Sequence, residues 1–62
     1  MPNVEGLKAT LSSLVEERGR LEDKVKRATS AQVREECMFD LDVTASNIKH
    51  VTDKLAAAGV HL

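Results

Sequence analysis

The spacing of apolar residues is the feature that most constrains what this chain can fold into. From Val4 to Ala28, apolar residues recur at alternating steps of three and four, the a/d pattern of a coiled-coil helix. The positions of this first seam are Val4, Leu7, Leu11, Leu14, Leu21, Val25 and Ala28. One seam position holds Arg18, and Gly19 follows it. We therefore predict a first helix over residues 3–28, in which the stretch from Val4 to Ala28 is about 37 Å long at 1.5 Å per residue.

A second apolar seam follows at steps of three and four residues, and it predicts a second helix over residues 31–58. Its positions are Val33, Cys37, Leu41, Thr44, Ile48, Val51, Leu55 and Ala58. Gly59 is suited to end the helix, with Val60 closing a Schellman-type contact. The stretch Phe39–Thr44 alternates apolar and polar residues like a strand, so a local break in this helix is an alternative.

A turn at residues 29–30 separates the two seams. Thr29 and Gln32 have the spacing of a capping box, and Ser30 is an alternative cap. Cations precede the turn and anions follow it, as the helix macrodipole favours. These charged residues are Lys24, Lys26 and Arg27, then Glu35 and Glu36. Two helices of equal length then form an antiparallel hairpin, although no Gly or Pro lies here to exclude a single bent helix.

The chain lacks the disulfide bonds and structural metal sites that stabilise many small folds. At 62 residues it is one small domain at most, and such a chain buries only about 60% of its unfolded surface. Cys37 is the one cysteine, so no intrachain disulfide forms. Two histidines without a CxxC pair do not make a structural zinc site, and we expect no cofactor. Stability must come from tightly packed helices or from a second chain.

Charge and hydropathy exclude several classes of protein. Nine Lys and Arg against ten Asp and Glu give a net charge of −1, which argues against a general nucleic-acid binder. No apolar run approaches the ~18 residues of a membrane span, and residues 1–8 lack the features of a secretory signal. A lone cysteine fits a reducing compartment. We expect a cytoplasmic protein or the interior part of a larger particle.

No residue pattern supports an enzyme or a metal site. Asp40 and Asp42 form a DxD, but on a helix these side chains diverge by about 200°. The pairs Glu16–Glu17 and Glu35–Glu36 lack the Glu-x-x-His of carboxylate metal bundles, so interhelical ion pairing is the expected role. The stretch Leu14–Val25 resembles the first helix of all-helical chorismate mutases, but no second upstream arginine accompanies it. His50 is expected at the surface or the seam edge rather than as a pH sensor.

Apolar residues outside the seams predict an interface with another chain. Phe39 and Val43 lie four residues apart on the second helix, and Met38 is adjacent to Phe39. On the first helix, Val15 and Ala9 widen the apolar stripe. One hairpin seam does not bury this surface, so we expect an oligomer or an obligate partner. The expected interface residues are Met38, Phe39, Val43, Val15 and Arg18. Arg18 either extends its stem along the seam toward water or a Glu, or it is a buried group that fixes register or binds an anion.

The layout resembles that of Rop-like plasmid copy-number proteins, in which two equal helices of a chain of about sixty residues meet at a tight turn near residue 30. Here too a cysteine, Cys37, comes early in the second helix. This resemblance implies a dimeric four-helix bundle and, in that family, binding of paired RNA loops. Possible anion contacts are Arg20, Lys24, Lys26 and Arg27.

The sequence thus predicts an all-α, coiled-coil-like helical hairpin that dimerises into a four-helix bundle. We expect a non-enzymatic interaction protein: an adaptor, regulator, co-chaperone or docking module that associates with itself or with another helical protein. A Rop-like regulator that binds nucleic acid is the alternative. We expect no membrane and no small-molecule substrate as a partner.

Overall fold

The computed structural model describes residues 3–61 and contains two helices, α1 (Val4–Arg27) and α2 (Ala31–Ala57). The molecule measures 45 × 15 × 14 Å. A helix of 27 residues is about 40 Å long, so the two helices lie side by side and antiparallel. The helices pack on each other, and the prediction of an all-α hairpin is confirmed.

The turn between the helices is formed by residues 28–30. Ala28 (φ −64°, ψ 128°) and Ser30 (φ −119°, ψ 146°) both have extended backbones, so the chain reverses here and does not form one bent helix. The Ser30 Oγ accepts the backbone N–H of Val33 at 3.1 Å and caps α2. Thr29, our first choice for the cap, was wrong because it lies one residue before the capping position. The Gln32 side chain donates to Glu36 at 3.4 Å.

The outer ends of both helices are also capped. At the start of α1, the Asn3 Oδ1 accepts the backbone N–H of Gly6 at 3.0 Å. At the end of α2, Gly59 has a φ of +85°, which a glycine adopts without steric cost. The Gly59 N–H donates to the Ala56 carbonyl at 3.0 Å, and the Val60 N–H donates to the Leu55 carbonyl at 2.9 Å. This pair of bonds is the Schellman motif expected from the sequence.

The core is a narrow line of side chains between the helices. Its buried members are Leu21, Cys37, Thr44, Val51 and Leu55, and Leu55 is completely buried. The other seam leucines of α1, together with Leu41 and Ile48 of α2, are only half-buried. A two-helix unit therefore leaves part of its own seam open to solvent.

Two expectations for α2 were wrong. Val33, predicted in the seam, is 47% exposed. The a/d pattern alternates steps of three and four, and counting back from Leu41 through Cys37 reaches Arg34 rather than Val33. The alternative of a break at residues 39–44 is also wrong, because α2 is helical throughout this stretch.

Candidate interaction surface

The most unusual feature of the surface is its content of large apolar side chains. Five of them are between 42% and 68% exposed, and Phe39, the one aromatic residue of the chain, is the most exposed. The set comprises Val15, Val33, Met38, Phe39 and Val43. Single exposed apolar residues are common on proteins, but several together mark an interaction surface.

These residues do not form one surface. Successive residues of a helix are about 100° apart, so Met38 and Phe39 point in different directions although they are neighbours in the sequence. Phe39 and Val43, four residues apart, lie on one stripe. All three expected interface residues are exposed, and Met38 lies about 100° around the helix from Phe39.

The antiparallel arrangement decides which side chains share a side of the hairpin. In two antiparallel right-handed helices, residues that directly follow a seam residue lie on the same side of the pair, and residues that directly precede one lie on the other. Val15 follows Leu14 and Met38 follows Cys37, so Val15 and Met38 share a side. Val43 precedes the seam residue Thr44, so the Phe39–Val43 stripe lies toward the other side.

We call the first of these surfaces the Val15 face and define it by Leu11, Val15 and Met38. A shallow apolar groove beside it is lined by Lys8, Leu11, Ser12, Val15 and Glu16. The lining contains one cation and one anion, so the groove is electrically balanced. Leu11 is a half-buried seam residue, so the Val15 face is continuous with the partly exposed core.

The second surface, which we call the Phe39 patch, is acidic around its aromatic centre. It comprises Phe39, Val43, Glu36 and Asp40, with Glu35 and Asp42 on its border toward Met38, and all six residues are exposed. Among them, Glu35, Glu36, Phe39 and Asp40 line a shallow concavity. Within residues 3–61, none of the four carboxylates forms an ion pair.

Arg18 lies at its seam position without being buried. Its side chain is 46% exposed, and its Nε is 3.8 Å from the Glu22 Oε1 one turn later on α1. The arginine thus reaches a neighbouring glutamate, as one of our two interpretations proposed. Within the single hairpin Arg18 is not a buried group that fixes register or binds an anion, because the half-open seam leaves its side chain a path to solvent.

Ion pairing occurs within α1 rather than between the helices. The Arg20 guanidinium is 3.3 Å from a Glu17 carboxylate oxygen and 3.8 Å from a Glu16 oxygen. Across the described range 3–61 no ion pair joins α1 to α2, so the expected interhelical pairing was wrong. The spacings i, i+3 and i, i+4 explain this, since they place each glutamate one turn from an arginine of its own helix.

The candidate anion contacts do not form one basic surface. Arg20 is already paired with two glutamates. Lys24 and Arg27 lie on one side of α1, whereas Lys26 is about 200° around the helix from Lys24. Arg20, Lys24 and Arg27 therefore share one stripe of α1, and Lys26 is separated from them.

Residues 3–61 offer no metal site and no membrane-spanning helix. No group of three His, Cys, Asp or Glu side chains in this range is placed to hold a metal ion. Asp40 and Asp42 both lie on α2 and are exposed, as is His50. Neither helix is long and apolar enough to cross a membrane, judged over the same residues.

Comparison with known proteins returns no relative: no family model, curated protein or solved structure matches the chain significantly. Function must therefore be argued from the two surfaces themselves.

Sequence reasoning missed the separation of these surfaces and the acidic surroundings of Phe39. Both features could have been found from the positions of these residues along the helix. The residues three and four positions from Phe39 are Glu35, Glu36, Asp42 and Val43, and a helix brings them together around it.

Proposed function

We propose that this protein is a non-enzymatic helical interaction module that self-associates into a four-helix bundle and binds a helical partner protein. The observation that supports the proposal is the imbalance between buried and exposed apolar side chains. Leu55 is the one large side chain among residues 3–61 that is completely buried, while five others are 42% or more exposed. Packing against another chain removes this apolar surface from water.

The Val15 face is the surface we propose for self-association. It adjoins half-buried seam residues such as Leu11 and Leu41, so a second hairpin placed on it completes the burial of the existing core. Its balanced charge sets up no repulsion between two identical copies. Four helices packed around one core are the common solution for helices of this length.

Sedimentation equilibrium tests the proposal directly. At micromolar concentration we expect a mass of at least twice 6.8 kDa, and we expect helicity to fall on dilution because folding and association are linked. A folded monomer at that concentration would contradict the proposal.

A pair of matched variants locates the interface. Val15→Glu places a charge on the Val15 face, and we expect it to shift the equilibrium toward monomer. Ala9→Glu introduces the same charge at an exposed position of the same helix, about 120° away, and should leave the mass unchanged. Equal effects of the two variants would show that self-association does not use this face.

The Rop-like alternative makes a different prediction. A nucleic-acid regulator binds RNA or DNA with an affinity that falls steeply as salt increases. Electrophoretic mobility shifts with structured RNA at two salt concentrations separate the two functions. Salt-dependent binding that is lost in Lys24→Gln and Arg27→Gln variants would favour the alternative.

A further inference from the structure

We propose that the Phe39 patch binds a partner segment that is apolar in its centre and basic at its edges, such as a helix with Lys or Arg beside an apolar ridge. The inference rests on the proposed interaction function and assigns it a second surface, separate from the one used for self-association. The Phe39 patch and the Val15 face point in different directions, so one molecule has room for both contacts.

The centre of the patch has the character of a binding hot spot. Phe39 is 68% exposed, and Val43 follows it one turn later with 46% exposure. Aromatic side chains supply much of the affinity of protein interfaces when a partner covers them. Both side chains project from one regular helix, which presents them in a fixed geometry.

The surroundings of Phe39 specify the charge of the partner. Three of its four helical neighbours at three and four positions are Glu35, Glu36 and Asp42, and Asp40 lines the concavity beside it. None of these carboxylates is neutralised by an ion pair within residues 3–61, even though the chain has nine Lys and Arg. A basic partner complements this arrangement, and an acidic one is repelled.

The same charges argue against a second copy at this position. Identical chains pair through a twofold axis, which brings equivalent residues of the two chains together. An axis near Phe39 would gather the carboxylates of both copies around one another. The groove beside Val15 is lined by one cation and one anion, Lys8 and Glu16, which is why we assign self-association there.

Two synthetic helical peptides serve as probes for the test. Both carry the same apolar ridge of Leu and Phe, one with Lys and Arg beside the ridge and the other with Glu at those positions. Binding is followed by fluorescence anisotropy and by amide chemical shifts of the full-length, isotope-labelled protein. We expect the basic peptide to bind, to shift amides around Phe39 and Val43, and to weaken as salt increases; we expect the acidic peptide not to bind.

Variants of neighbouring residues locate the contact. Phe39→Ala should weaken binding of the basic peptide at least about tenfold. Met38→Ala removes an apolar side chain that is adjacent in sequence but points elsewhere, and it should leave peptide binding within about twofold. In the double variant Glu35→Lys, Glu36→Lys the charge of the patch is reversed. This variant should no longer bind the basic peptide and should bind the acidic one.

Measuring the mass of each variant separates this inference from the proposed function. If Phe39→Ala remains self-associated but loses the peptide, the inference is supported. If Phe39→Ala becomes monomeric, the patch is the self-association surface; the inference is then overturned while the proposed function stands. If the wild-type protein self-associates but prefers the acidic peptide, or binds both equally, the charge assignment is wrong. A wild-type monomer that binds neither peptide overturns both proposals.

Discussion

Two glycine substitutions form a matched pair with effects of opposite sign. Among residues 3–61, a Cβ added at Gly19 or at Gly59 meets no heavy atom within 4 Å, so neither substitution to alanine changes side-chain packing within this part of the chain. The positions differ in backbone conformation: Gly19 lies inside α1, whereas Gly59 has a φ of +85°. Gly19→Ala should stabilise the fold by about 1 kcal/mol through helix propensity. Gly59→Ala should destabilise it by about 1–2 kcal/mol, because alanine is strained in the left-handed region.

Thermal unfolding followed by circular dichroism at 222 nm measures both effects. For a domain of this size, 1 kcal/mol corresponds to a shift in Tm of roughly 4–8 °C. All samples must have the same chain concentration, since association makes Tm concentration-dependent. A rise in Tm for Gly59→Ala would refute the assignment of the helix end. A fall in Tm for Gly19→Ala would show that another chain occupies the open space beside that glycine.

Three further substitutions test the core, the turn and the seam. Leu55→Ala truncates the completely buried side chain and should cost roughly 3–5 kcal/mol in urea denaturation; a cost below about 1 kcal/mol would mean that Leu55 is not in the core. Ser30→Ala removes the acceptor for the Val33 N–H and should cost about 1 kcal/mol, whereas Thr29→Ala should change the unfolding free energy by less than about 0.5 kcal/mol. Arg18→Leu completes the heptad and should raise the unfolding free energy; a loss of stability would contradict the seam register of α1.

The hairpin was predictable because three independent signals agreed. The apolar spacing predicted the helices, and the cap residues predicted their approximate ends. Because the chain can form no intrachain disulfide and no structural zinc site, helix packing remained as the source of stability. The choice between Thr29 and Ser30 was harder, because both hydroxyls are capable caps and the difference depends on which residue begins α2. Val33 was placed in the seam because it is apolar and lies four positions before Cys37, which fits the helical period. It does not fit the a/d pattern, in which a step of four is followed by a step of three.

The grouping of the surface residues was less accessible from the sequence. Met38 and Phe39 are consecutive and both apolar, so they were assigned to one interface. Their separation follows only when the rotation of the helix and the antiparallel direction of its neighbour are considered together. The intrahelical ion pairs of Arg20 were also not predicted. Glu16 and Glu17 were expected to pair with cations of the opposite helix, whereas Arg20 lies on the next turn of their own helix.

The buried thiol of Cys37 reports how readily the two helices separate from each other. The thiol is 7% exposed and lies in the half of the seam nearer to the turn. A thiol reagent reaches it only when α1 and α2 separate there, so protection of the thiol against labelling measures how readily that half opens under native conditions. Since the chain contains no other cysteine, a single labelling reaction follows this event without an engineered probe. Labelling at a series of protein concentrations then reveals whether separation of the helices requires dissociation of the chains.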